Sequence, residues 1–250
     1  MGKVQQGILD GFIGKVGTVV GAFWKGKPVM RAYKRQIHDL NSEAQQLVRT
    51  RFGAISSLAG HFLSAIRLGF SEVAQRERAT EGNVFVHLNW NRVHSDTPGS
   101  ATIDYEDLVV AQGNLPEVQF GTATFTNPLE VDVAINDDAT IIGSDPADEA
   151  YVFVYSPQAK AGILSQPVLR VEESAEIRVP AYWNGHRVHL YGFAIGGGTD
   201  NQGLISNSRY LGSGTISELR SARSAGECKG VQRSARSAKE CKGVQGVQGH

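Results

Sequence analysis

The residues in this 250-residue chain whose types and spacing best suit a chemical task lie near its start. Lys15, Lys25, Lys27, Arg31, Lys34 and Arg35 are interleaved there with Phe23, Trp24 and Tyr33. Cations neutralise phosphates and aromatic rings stack on bases, so this alternation suits a nucleic acid. The same residues also suit the solvated face of a hairpin whose rings pack inward, or pairing with an acidic protein surface. Trp24, Lys25, Lys27, Arg31, Lys34 and Arg35 are therefore the candidate nucleic-acid or partner contacts.

Other patterns fail on context. The run Gly21-Ala22-Phe23-Trp24-Lys25-Gly26-Lys27 has the count of a phosphate loop, but Pro28 follows, which has no hydroxyl for magnesium and leads into strand-like rather than helical sequence. A hairpin turn is the better reading. Gly14, Gly17 and Gly21 lack dinucleotide-loop spacing. No pair of histidines sits beside a carboxylate at a familiar metal spacing; in a strand, His186 and His189 would point to opposite faces because their offset is odd. His61 reads as a boundary residue of a helix. The acidic stretch with Asp137, Asp138, Asp145, Asp148 and Glu149 lacks the Asp-x-Asp-x-Asp-Gly order of a calcium loop and reads as a solvated loop. A G-x-S-x-G nucleophile signature is also missing. No catalytic residue, cofactor or metal ligand is assigned, and the chain is not expected to be an enzyme. Trp183, in the turn Pro180-Ala181-Tyr182-Trp183-Asn184-Gly185, is the candidate carbohydrate contact, since an exposed ring can stack on a sugar; a buried ring would remove it.

The elements that must position these groups follow from periodicity. Apolar, β-branched and aromatic residues around the Lys25-Gly26-Lys27-Pro28 turn predict a β-hairpin over 16–24 and 29–33. Ser42 with Gln45 three residues on is a capping-box start. Val48, Phe52, Ile55, Ala59, Phe62, Ile66, Phe70 and Val73 then form one apolar stripe at helical spacing, which predicts one long helix or a helical pair. Gly53, Gly60 and Gly69 weaken it or permit close packing. Such a stripe needs a partner surface, and an oligomer is one way to supply it. From about Tyr105 the period becomes two, and short strands are predicted over 108–111, 119–126, 129–135, 150–155, 162–165, 175–179, 187–195 and 208–211.

Composition sets the bounds. The apolar fraction is 41% and the charged fraction 20%, which suits a globular protein large enough to fold without metals or disulfides. No apolar run approaches the roughly 20 residues that span a bilayer, and the start has no signal-peptide pattern, so a cytoplasmic or virion-associated place is expected. Cys228 and Cys241 both fall in a tail where RSARSAGECKGVQ is followed by RSARSAKECKGVQ, a low-complexity repeat expected to be disordered. Charge is segregated: residues 1–95 carry 13 Lys or Arg against 6 Asp or Glu, residues 96–218 carry 5 against 17, and the remainder 7 against 2. The domains expected are a basic hairpin and helical module over 1–95, an acidic β-sandwich over 96–218 and a repeat tail over 219–250.

The opening GFIGKVGTVVGAFWKG, the Ser42-Glu43-Ala44-Gln45 helix start with Arg49, Arg51 and Phe52 after it, and the closing RVHLYGFAIG and ISNSRYLGSG segments together resemble an uncharacterised domain-of-unknown-function family of Bacteroidetes proteins with relatives in their phages. The resemblance covers about residues 1–214, and the repeat tail departs from it. That family has no established activity, so the resemblance implies no catalytic residues; a virion or cell-surface role is an extrapolation from it. The reading is thus an α+β, mainly β chain: an N-terminal hairpin and a long amphipathic helix, then an immunoglobulin- or fibronectin-III-like antiparallel sandwich. The function expected is a non-catalytic structural or protein-interaction role with a protein partner or self-association. Nucleic-acid binding through the basic hairpin is the alternative, and carbohydrate binding the second.

Overall fold

A computed structural model describes residues 2–3, 12–24, 26–34, 41–125, 129–137 and 139–216. The repeat tail, Lys25 and Arg35 lie outside them. The chain divides into two compact units between Arg49 and Thr50. It is strand-rich, with several antiparallel sheets. No helix among the described residues is long and apolar enough to cross a membrane.

The first unit is a four-stranded sheet of β1 (Gly2–Lys3), β2 (Gly14–Val16), β3 (Val19–Trp24) and β4 (Lys27–Ala32), in the order β1-β4-β3-β2. The segment expected as one strand over 16–24 is folded back at Gly17-Thr18, where Gly17 has φ 59°, the left-handed conformation that a two-residue hairpin loop needs. A second tight turn brings Trp24 opposite Lys27.

Helix α1 (Glu43–His61) begins where Ser42 indicated: the Ser42 hydroxyl accepts from the Gln45 amide at 3.4 Å. The helical run is broken three times, giving α2 (Leu63–Gly69), α3 (Ser71–Glu77) and α4 (Glu81–Asn89), so four helices stand where one or two were expected. Thr80 caps α4 by accepting from the Asn83 amide. A hairpin of β5 (Val93–Thr97) and β6 (Ser100–Ile103) follows.

The remaining strands are β7 (Phe120–Thr124), β8 (Glu130–Ile135), β9 (Glu149–Ser156), β10 (Ala161–Leu164), β11 (Val168–Leu169), β12 (Ser174–Arg178), β13 (Arg187–Ile195) and β14 (Arg209–Thr215). They form a sheet in the order β10-β9-β13-β14, with β11 also on β9, and a second sheet in the order β12-β8-β7. The two sheets enclose one apolar cluster: Val131, Val133 and Ile177 come from the smaller sheet, and Val152, Val154, Val188 and Leu190 from the larger.

The larger sheet is buried on its other face too. Phe153, Tyr155, Tyr191 and Phe193 point there, into a cluster with Ile55, Phe62, Ile66, Phe70 and Phe85 of the helices. The Phe62 ring lies 4.6 Å from that of Tyr155 and 4.8 Å from that of Phe153. The helical stripe from Ile55 onward is thus covered by the chain's own sheet, and it supplies no argument for an oligomer. Val48 and Phe52 at its start remain exposed.

Candidate functional site

In a sheet, alternate residues of one strand and directly paired residues of neighbouring strands share a face. The register pairs Lys15 with Val20, Val20 with Arg31, Ala22 with Val29 and Trp24 with Lys27. Lys15, Trp24, Lys27 and Arg31 therefore stand on one face of the N-terminal sheet. Tyr33 joins them just past β4, where its amide donates to the Thr18 carbonyl at 2.7 Å, and the Lys15 ammonium sits 3.6 Å from the centre of its ring. Val16, Val19, Phe23, Pro28 and Met30 share the opposite, apolar face, where Phe12 covers Gly21.

Of the six candidate contacts, the fold thus gathers Trp24, Lys27 and Arg31. Lys34 is exposed beyond the strand end, and Lys25 and Arg35 lie outside the described residues. Lys15 completes the set. The whole stretch 11–38 carries six Lys or Arg and no Asp or Glu. Trp24 is 53% and Tyr33 41% exposed, so rings and charges are presented together.

A second cluster, in the larger unit, was not visible in the sequence. Tyr105, Tyr155, Tyr191, Tyr210, His61 and His189 form a run of stacked and tilted rings, with Tyr105 and His189 4.6 Å apart. His189 Nδ1 is 2.9 Å from the Tyr210 hydroxyl, and the Tyr191 hydroxyl donates to the Tyr105 carbonyl at 2.6 Å. Burial, and then the charge of Arg187, push the His189 imidazole down to about 4. Burial, helped by Lys160, also lowers His61. Burial raises the phenols of Tyr105, Tyr155 and Tyr191. The ring contacts and the Tyr191 bond to the Tyr105 carbonyl hold the sheet to the 3-10 turn Tyr105–Asp107. A groove of about 550 Å3 opens beside Tyr105, Arg187 and His189. His186 lies just before β13, so strand alternation does not govern it; its Nδ1 is 3.1 Å from the Ser156 hydroxyl.

The acidic loops are not a free solvated patch. Arg170, fully buried, lies between Asp148 at 3.3 Å and Asp137 at 3.6 Å, and Nη2 donates to the Pro116 carbonyl at 2.5 Å. Asp148 also accepts from the Asn201 amide at 2.7 Å and the Asp145 backbone amide at 3.0 Å. Three loops are thereby tied to one cation. No group of three or more His, Cys, Asp or Glu among the described residues could hold a metal ion.

Trp183, the candidate carbohydrate contact, must be corrected. Its ring is fully buried in the cluster between the two sheets, leaving no face for a sugar; the exposed ring of that turn is Tyr182. The sequence around it reads as a turn, and nothing local distinguishes the tryptophan that plugs the core from the tyrosine beside it.

The chain belongs to a family of unknown function (DUF6266), whose family model matches residues 11–212. That range takes in both units and ends before the repeat tail. No curated protein matches the chain. Among solved structures it is similar to the fn3 domain of the human collagen alpha-1(XX) chain, at 14% identity over 46% of this chain and 92% of that one, with a TM-score of 0.30.

Proposed function

We propose that this is a non-catalytic interaction protein whose contact surface is the basic face of its N-terminal sheet. The larger unit serves as the folded body that carries this sheet, and we take its two facing sheets as a sandwich of the immunoglobulin or fibronectin kind. The reading rests on one observation: the register of β2, β3 and β4 sets Lys15, Lys27 and Arg31 on one side of a sheet drawn from a stretch without a carboxylate. Mixed signs are the norm on a surface that only needs to stay in water. A one-sign face on a chain of zero net charge implies an anionic partner. Membership of an assembly, at a virion or a cell surface, is the setting we favour for such a protein.

The test uses heparin as a generic polyanion. The wild-type chain, although its net charge is zero, should be retained on heparin–agarose at low salt and released as salt rises. Lys27→Glu/Arg31→Glu should pass through. Equal retention of the two would sink the reading.

A further inference from the structure

We infer that the partner of the basic sheet face is single-stranded nucleic acid, with Trp24 and Tyr33 as platforms for bases and Lys15, Lys27 and Arg31 as phosphate contacts. This rests on the contact-face reading above and adds to it the identity of the anion.

The argument is the placement of the rings. An acidic protein surface can be met by cations in any arrangement, whereas rings coupled one by one to cations are what a strand of alternating bases and phosphates uses. Here each end of the face couples a ring to a cation. Trp24 is paired across the strands with Lys27, and Tyr33 has the Lys15 ammonium 3.6 Å from its ring centre. Lys27 and Arg31 are four residues apart on β4, about 14 Å at strand rise, and Arg31 and Lys15 are two strand spacings apart, about 10 Å. A ring and a charge at either end of one sheet face match a chain that alternates π-faces with phosphates. Base stacking on a side chain needs unstacked bases, so the fit is to a single strand rather than a duplex. The absence of any Asp or Glu over 11–38 means that no carboxylate of that stretch repels the phosphates.

Fluorescence anisotropy with the full chain tests this, using a labelled 12-nucleotide oligothymidine, a duplex of the same length and labelled polyglutamate. Oligothymidine should bind more tightly than either. Its affinity should fall with salt at a log–log slope near −2, roughly 0.7 for each of three phosphates neutralised. Trp24→Ala should weaken oligothymidine by roughly tenfold without changing that slope, while Trp24→Phe keeps most of the affinity; Tyr33→Ala serves as a second ring variant if Trp24→Ala unfolds. Polyglutamate bound as tightly as oligothymidine, with both ring variants neutral, would overturn the nucleic-acid assignment and leave the contact face standing. If none of the probes binds at low salt, both fall.

Discussion

Arg170 and His189 show how much of this protein's charge is settled inside it. Replacing Arg170 by Ala leaves Asp137 and Asp148 buried without a counter-charge, and breaking such a cluster costs about 3–5 kcal/mol. Urea unfolding should report that loss, whereas a cost below about 1 kcal/mol would mean the carboxylates find other partners. His189 makes a pH prediction. Its folded-state value, about 4, lies below the ordinary 6.5, so the unfolded chain takes up the proton first as pH falls. The stabilising contribution is complete above about pH 6.5 and is lost as pH falls toward 4. His189→Gln should remove this part of the acid sensitivity, so the stability gap between the two proteins should narrow from pH 7 to pH 4.5; a gap independent of pH contradicts it. Neither residue was legible beforehand. A loop rich in Asp looks the same in sequence whether water or an arginine 22 or 33 residues away satisfies it, and Trp183 carried no sign of its burial. The N-terminal cations were legible as a run of Lys and Arg interleaved with aromatic residues, but which of them share a face was not.

At the scale of elements, glycines separate close packing from simple weakness. An added Cβ at Gly69 would lie 2.5 Å from the Val110 carbonyl oxygen, whereas at Gly53 nothing lies within 4 Å. Gly69→Ala should therefore destabilise, despite the better helix propensity of Ala, and Gly53→Ala should stabilise by about 0.5–1 kcal/mol. Thermal unfolding of the two variants should move in opposite directions, and a stabilised Gly69→Ala would contradict the close approach. The helical stripe was readable, but its breaks near Phe62 and Phe70 were not, because both residues keep the apolar spacing through the break. β13 ran as expected over Arg187–Ile195, its alternation being unmixed. The strand expected over 108–111 is extended chain without a strand partner: Val109 donates to the Asn89 side chain and Val110 to the Ser208 hydroxyl, both at 2.8 Å. Side chains take these two amides while the Ala111 carbonyl accepts from the Ser208 amide, and sequence periodicity carries no trace of that. The β5–β6 hairpin was missed for the opposite reason, since Val93-His94-Ser95-Asp96-Thr97 has too few apolar residues to show a period of two.

For the whole molecule, the pattern that mattered was present in β9 and β13 and is clear once the layers are known. Both strands alternate aliphatic with aromatic residues, Val152-Phe153-Val154-Tyr155 and Val188-His189-Leu190-Tyr191, rather than apolar with polar. A strand buried on both faces reads that way, and here the aliphatic face meets the second sheet while the aromatic face meets the helices. The expectation of a strand-rich, antiparallel protein holds, and what the sequence left open was the surface that covers the helices. The segregation of charge was also legible, but its placement on one face needed the register. The most direct test of the central claim asks whether position, not merely charge, governs binding. Lys27→Glu/Arg31→Glu changes the net charge by as much as Lys160→Glu/Arg209→Glu, whose residues are exposed on the larger unit. Elution of both from heparin–agarose should show the first pair unretained and the second close to wild type. Equal losses from the two pairs would place the interaction in overall charge and contradict a dedicated face.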